Sequence, residues 1–318
     1  MRLNRSELAV PGSRVDFFEK AANSESDIIF LDLEDSVAIN EKKSARKNVI
    51  EAVNDINWNN KSISIRINSS DTIFMKDDIK EILKFTSSKL DMIMLPKVNT
   101  AQDILKIDKL VSKYETKYKR SQRLGFEIII ETGLGLINIE SIALASKRNE
   151  ALHFGAADFA ASIGSRTTDI GGVNEKYGVL EKKKKNKRSF FLNDMWHFAL
   201  FKILLTAHSF GMRAVDCPYG DFSDSQGFEA LAKSSYTMGF DGKMVIHPKQ
   251  IDIANKVYSP TDKEIIEAKE ILAQMKVAEK KGKGAVAFKG KLLDIVSIKQ
   301  ANNIVDMEKK IVKGINKK

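Results

Sequence analysis

The chain has 318 residues, 43% of them hydrophobic and 30% charged, with a formal net charge of +10 and a single cysteine, Cys217. That is enough apolar material for one large α/β domain plus an appendage, and it excludes a mainly disordered chain. One cysteine excludes an internal disulfide and a thiolate metal cluster, which points to a reducing compartment.

Residues 1–10 carry two arginines and no long apolar run, and no stretch of about 18 apolar residues occurs anywhere. Neither a signal peptide nor a transmembrane helix is expected, and the chain reads as cytoplasmic. Most of the excess charge is lysine scattered through a chain rich in Ile, Asn and Lys, which reads as solvated surface; its functional alternative is attraction of a phosphorylated ligand. The basic run 182–188 lacks a reader helix, zinc ligands or regular aromatic interleaving, so it is taken as a loop rather than a nucleic-acid patch.

In chain order, the first apolar run is Leu8-Ala9-Val10, closed by Pro11-Gly12, and seven more follow at 28–33, 62–67, 92–95, 126–131, 152–155, 213–216 and 244–247. Several are continuous rather than alternating, as parallel strands covered on both faces require. Between them lie helical patterns at 41–53, 76–85, 101–114, 138–145, 194–210 and 228–238; in the first, Ala45, Val49, Ile50 and Val53 share one face. Strand then helix, repeated about eight times, predicts an α/β fold, a (β/α)8 TIM barrel over residues 1–258. A doubly wound open sheet is the competing architecture, but the first strand-to-helix turn reads Pro11-Gly12-Ser13 and has no G-x-G-x-x-G. Residues 259–318 form a C-terminal extension. A helix is expected over 261–280, then a hinge where "KKGKGAVAFKGK" inserts three glycines, then a helix over 297–310. This is the pattern of a moving lid.

In a TIM barrel the chemistry sits at the carboxyl ends of the strands. Those ends carry Asp32, Glu34 and Asp35 in "FLDLED", Arg66 and Asn68 in "SIRIN", Pro96-Lys97 in "MLPK", Glu131 in "IIIET", Asp158 in "HFGAAD", Asp216 in "AVDCP" and His247 in "VIHP". Any one carboxylate there could be a cap or an ion-pair partner. Several around one rim repel unless a cation sits among them, and a divalent metal with an arginine fits. With four histidines and no cysteine pair, zinc is disfavoured; two carboxylates plus water and substrate suit Mg²⁺, with Mn²⁺ as a possible substitute. Glu131 and Asp158 close consecutive strands and are the chosen pair. Gly155-Ala156-Ala157 beside them leave room for a ligand to approach the backbone.

The stretches "RSELAVPGS", "IIFLDLEDSVA", "ISIRIN", "IMLPKV", "FEIIIET", "LHFGAADFAASIG", "YGDFSDSQGF", "IHPKQI" and "FKGKLLDIVSIKQA" resemble the acyl-CoA lyases of the citrate lyase beta subunit superfamily. The resemblance covers nearly the whole chain, in order and spacing. It implies a reversible, Mg²⁺-dependent carbon–carbon lyase that cleaves L-malyl-CoA to acetyl-CoA and glyoxylate, β-methylmalyl-CoA to propionyl-CoA and glyoxylate, or both. By the same resemblance Glu131 and Asp158 hold the metal, and Arg66 faces the substrate's developing negative oxygen. Arg14 and Lys20 meet the CoA phosphates. Ala157 and Asp158, and Ile246 and His247, contact the acyl part. Asp294, on the C-terminal lid, acts as the base in a neighbouring subunit's site, which implies a homotrimer or homohexamer. Ala9 departs from relatives that carry an aromatic residue near the nucleotide. Competing activities on the same barrel are a malyl-CoA thioesterase, a citramalyl- or citryl-CoA lyase, and a pyruvate-type aldolase that does without CoA. Arg14, Lys20 and Asp294 favour a CoA thioester. From outside enzymology, the competing reading is a basic nucleic-acid-binding module.

Overall fold

Each of the eight apolar runs forms a strand, and the strands close into a barrel. The computed structural model describes residues 2–182 and 188–315; most of the basic run therefore lies outside the described residues. The first half of the barrel comprises β1 (Ser6–Pro11), α1 (Phe18–Ala22), β2 (Ile28–Asp32), α2 (Lys42–Asp55), β3 (Ser62–Arg66), α3 (Met75–Phe85), β4 (Met92–Leu95) and α4 (Ala101–Lys117). Then come β5 (Gly125–Ile130), α5 (Gly133–Ile137), α6 (Ile139–Leu144), β6 (Asn149–Phe154) and α7 (Ala156–Ser162). A small hairpin, β7 (Gly178–Leu180) with β8 (Phe190–Leu192), precedes α8 (His197–Ser209), β9 (Arg213–Asp216), α9 (Ser225–Met238), β10 (Gly242–Val245) and α10 (Pro248–Val257). The hairpin and α7 occupy a stretch in which the residue pattern predicts no element.

The barrel order is β1-β10-β9-β6-β5-β4-β3-β2, with every pairing parallel. Strands β2, β4 and β5 are buried at every residue, because helices cover one face and the barrel interior the other. The helices bury the stripes that their period dictates: Ala45, Val49, Ile50 and Val53 of α2 all face inward. The ring closes where β10 meets β1, Ser6 lying beside Lys243. A Cβ at Gly242 would sit 1.5 Å from the Asn4 carbonyl oxygen, so closure at this point requires glycine.

Side chains alternate along each strand, so inward positions recur every second residue. Phe30, Met94, Ile129, Ala151, Val215 and Met244 make an apolar layer, with Ala9 packed against it. On the same inward faces lie Glu7, Glu127, His153 and Arg213, none more than 1% exposed. Glu7 Oε2 meets His153 Nε2 at 3.0 Å and accepts from Asn4 Nδ2 at 3.1 Å, while Arg213 Nη2 donates to Glu127 Oε1 at 3.0 Å and its Nη1 to Asn4 Oδ1. Burial, then the Glu7 charge, pushes the Glu127 carboxyl up to about 7 despite the adjacent guanidinium.

The chain divides into two compact units, 1–255 and 256–318. The second contains α11 (Asp262–Lys280), the antiparallel pair β11 (Val286–Phe288) and β12 (Lys291–Leu293), and α12 (Ile295–Ile315). Thr261 and Glu264 form a capping box that starts α11. The glycine-punctuated stretch read in the sequence as a hinge contains a hairpin: Lys289 and Gly290, both at positive φ, make the tight turn that joins β11 to β12. No helix among the described residues is long and apolar enough to cross a membrane.

Candidate active site

The site is built outward from the end of β2. Asp32 is inward-facing and buried, and its carboxylate is fully engaged. Arg66, at the end of neighbouring β3, donates to it through Nε (2.6 Å) and Nη2 (2.7 Å) in a two-pronged pair. The Glu34 and Ser36 amides also donate to Asp32, at 2.8 and 3.1 Å, and so does the Ser36 hydroxyl. These bonds fold the turn after β2. Lys42, from the first turn of α2, secures the turn from behind by donating to the carbonyls of Leu33 (2.8 Å) and Glu34 (2.6 Å). Although burial opposes ionisation, the Arg66 guanidinium holds the Asp32 carboxyl at about 2. Arg66 is thereby fixed in plane and stays charged.

Glu131 follows the last residue of β5, on the inward parity set by Ile129, and is 2% exposed. Thr132, next in line, caps α5 by accepting from the Gly135 amide at 2.9 Å, so the chain turns abruptly and leaves the carboxylate at the strand mouth. Among the described residues Glu131 accepts one hydrogen bond, from the Lys97 amide to Oε1 at 2.7 Å. Burial, then the nearby Asp158 and Glu34 charges, pushes its carboxyl up to about 8. A Cβ at residue 155 would lie 2.5 Å from both Glu131 Cβ and Oε2, so Gly155 is what admits this carboxylate.

Asp158 sits in the first turn of α7, directly after β6, with its side chain 40% exposed. No side chain caps α7. Ala157, exposed beside Asp158, presents its first-turn backbone at the same rim. Lys97 completes the group. Its Nζ lies 2.5 Å from Glu34 Oε1, 3.0 Å from Asp35 Oδ1 and 3.8 Å from Asp158 Oδ1. Five carboxylates (Asp32, Glu34, Asp35, Glu131 and Asp158) thus share the rim with Arg66, Lys97 and the backbone-bound Lys42.

The donor set fits a hard divalent cation. Glu131 and Asp158 supply oxygens from adjacent strand ends, the space beside Glu131 is kept clear by a glycine, and their proximity raises the Glu131 carboxyl in a way that a bound cation reverses. A second cluster with potential ligands, Glu7, Glu127 and His153, has its ligand atoms within 4.8 Å of one another. There Arg213 already supplies the positive charge, and every member is buried.

Of the remaining predicted residues, four follow barrel strands β1 and β10, and one lies in the second unit. Arg14, exposed in the turn after β1, pairs with Asp16 at 2.9 Å and lies over the Phe17 ring at 3.9 Å; Lys20 Nζ lies 5.4 Å from the same ring. His247, just after β10, stacks on Phe222 with centroids 4.9 Å apart. The Ile246 amide donates to Gln250 Oε1 at 2.9 Å, and its side chain is exposed. In the second unit, Asp294 precedes α12, and its Oδ1 accepts from the Val296 and Ser297 amides at 2.9 and 3.2 Å. Asp216, another predicted strand-end carboxylate, belongs elsewhere: it points outward from β9 and pairs with buried Lys243 at 2.6 Å. Sequence reasoning flagged Lys97 but gave it no role. Its positive φ of 52° is invisible in the sequence, although Pro-Lys directly after an apolar strand marks an abrupt turn.

A barrel whose strand ends bring together an oxygen-only carboxylate pair, a clamped arginine and surface cations can be set beside known proteins. Residues 5–248 match the sequence profile of the HpcH/HpaI aldolase/citrate lyase family. The chain belongs to that family. Across 304 residues, 96% of this chain and 94% of the relative, it is 47% identical to the L-malyl-CoA/beta-methylmalyl-CoA lyase of Cereibacter sphaeroides. With the enzyme of the same description from Rhodobacter capsulatus it shares 48% identity over the same span. The malyl-CoA/beta-methylmalyl-CoA/citramalyl-CoA lyase of Chloroflexus aurantiacus is 34% identical over 90% of this chain and 82% of that one. Among solved structures, CitE of Mycobacterium tuberculosis in complex with magnesium, acetoacetate and coenzyme A superposes with a TM-score of 0.73. It covers 96% of this chain and 98% of its own, at 26% identity. Membership of the HpcH/HpaI aldolase/citrate lyase family accounts for the closed parallel barrel.

Proposed function

We propose that the protein is a Mg²⁺-dependent, reversible carbon–carbon lyase that cleaves L-malyl-CoA to acetyl-CoA and glyoxylate and β-methylmalyl-CoA to propionyl-CoA and glyoxylate. The observation that carries this reading is the pairing of Glu131 and Asp158 beside a clamped Arg66, in a chain 47–48% identical over 96% of its length to lyases of that description.

The residues divide the work. Glu131 and Asp158 hold the cation, which when bound polarises the glyoxylate oxygens and orients the bond to be broken. Arg66, held in one orientation by Asp32, directs fixed positive charge at the oxygen where negative charge develops on cleavage. Because Asp32 and its turn set the arginine in advance, little reorganisation accompanies the reaction. Arg14 and Lys20, grouped around Phe17 at the mouth, meet the CoA phosphates. The Ala157 backbone, Ile246 and His247 line the acyl and thioester portion. In the condensing direction Asp294 removes the proton from the acetyl or propionyl carbon. Among the described residues, the helix-capping bonds all fall on its Oδ1, which leaves Oδ2 for this work.

Asp294 serves the site of a neighbouring copy, in a homotrimer or homohexamer. Support for self-association comes from large apolar side chains exposed on the barrel unit, among them Phe190, Phe191 and Leu192 of the hairpin and Phe198, Phe201 and Leu205 of α8. Glyoxylate trapped as its phenylhydrazone, with free thiol followed separately and a chelator control, tests the reading. Chelator-sensitive glyoxylate release without free CoA is expected. Free thiol without glyoxylate identifies a thioesterase. Asp294→Asn is expected to abolish cleavage, and mixing it with an inactive Glu131→Ala chain is expected to restore part of it if the sites are shared between copies.

A further inference from the structure

The rim contains more carboxylates than a divalent ion needs, and their hydrogen bonds sort them. Asp32 is neutralised by the two-pronged Arg66 pair. Glu34 and Asp35 are held by Lys97 Nζ, at 2.5 Å and at 3.0 and 3.1 Å. Asp158 makes only a longer ion pair with that ammonium, at 3.8 Å, outside hydrogen-bond distance. Among the described residues, Glu131 receives only the Lys97 amide. One residue therefore touches both sets, its backbone reaching one and its side chain the other.

The backbone that allows this is unusual. Lys97 has φ of 52°, a left-handed conformation that a side-chain-bearing residue adopts only at a cost and that glycine adopts freely. Lys119 and Lys289 also take positive φ, so the angle alone assigns no role; what singles out Lys97 is that its amide and its ammonium reach carboxylates from different strand ends. The left-handed turn aims the N–H at Glu131 while the side chain crosses from the end of β4 to the turn after β2.

We propose that Lys97 is a positioning residue that partitions the rim, neutralising Glu34 and Asp35 and so reserving Glu131 and Asp158 as the cation-binding pair. The inference rests on the assignment of the cation to that pair. Without the ammonium, Asp35 loses its cation and Glu34 keeps only the longer contact with Arg66 Nη1, at 3.5 Å, so both carboxylates can turn toward the ion. The cation is then bound more tightly, in a sphere with fewer positions open to substrate. Lys97 lowers cation affinity and raises turnover.

The test is Mn²⁺ binding to the full-length protein, read by the loss of the free-ion electron paramagnetic resonance signal, alongside steady-state kinetics. Lys97→Met is expected to bind Mn²⁺ roughly tenfold or more tightly, since a nearby positive charge has been removed, while kcat falls at least tenfold. Lys97→Arg is expected to return affinity toward that of the unsubstituted protein. Lys97→Gly keeps the amide bond to Glu131 and relieves the backbone, and it provides the same readout if the methionine variant folds poorly. Unchanged or weaker Mn²⁺ binding in a folded methionine or glycine variant overturns the proposal. If instead Glu131→Gln leaves Mn²⁺ binding of the unsubstituted protein intact, the assignment of the cation fails first.

Discussion

Two clusters of buried carboxylates lie in the same barrel, and they are arranged for opposite purposes. Inside, Glu7 and Glu127 are matched by Arg213, His153 and Asn4, all buried and linked in one chain of bonds from His153 through Glu7, Asn4 and Arg213 to Glu127. At the rim, five carboxylates face Arg66 and Lys97, with Asp158 and Asp35 open to solvent. The residue types are the same. The interior cluster is closed to solvent and supplies its own counter-charge, so it holds strands together; the rim is open and has surplus negative charge, so it binds something positive. Buried charge alone does not mark a site, whereas unbalanced charge at an opening does.

Substitutions that unbalance each cluster sharpen the contrast. Glu131→Gln should have the largest effect, removing metal-dependent turnover altogether while the barrel stays folded, as circular dichroism would report. Next comes Arg66→Lys, which keeps the charge but loses the two-pronged bond to Asp32; kcat should fall on the order of 100-fold. An undiminished kcat would mean that the clamp on Arg66 plays no part in the chemistry. The third is a pH effect. Glu131 has an ordinary carboxyl value of 4.5 but holds its proton up to about 8 in the folded chain. Cation binding below that value must displace the proton, so apparent Mg²⁺ affinity by calorimetry should drop about tenfold per pH unit from 8 down to 6. The smallest effect belongs to the interior. Glu127 is protonated in the fold up to about 7 against 4.5 when unfolded, so its contribution to stability is complete below 4.5 and is lost as pH rises through 7. Glu127→Gln should flatten that part of the melting-temperature profile by roughly a few degrees and leave turnover unchanged. A loss of activity there would break the distinction between the two clusters.

The rim is more legible in the sequence than the interior. Strand ends are marked by apolar runs that stop at a charged residue, so the order of residues alone lines up Asp32, Arg66, Glu131 and Asp158. Glu7, Glu127, His153 and Arg213 interrupt different strands and meet only because the sheet closes, so no local pattern connects them. The β7–β8 hairpin escapes notice because three-residue strands carry almost no alternation to read. The roles given to Arg14, Lys20, Ala157, Ile246, His247 and Asp294 come from resemblance, since nothing in a surface arginine or a helix-capping aspartate announces a ligand. The role of Lys97 depends on a backbone angle that its side chain does not favour, which no residue pattern encodes.

The seam between β1 and β10 bears on how the molecule is made. Ser6 and Lys243 are neighbours in space but are separated by roughly 240 residues of chain, the kind of distant pairing that slows folding. A ribosome delivers β1 early and β10 late. Until Gly242 emerges to meet Asn4, the growing sheet has two open edges exposed to the cell, and the first strand must wait for nearly the whole domain before it has a second neighbour. Truncations that stop short of β10 should therefore yield a chain that aggregates rather than a smaller barrel.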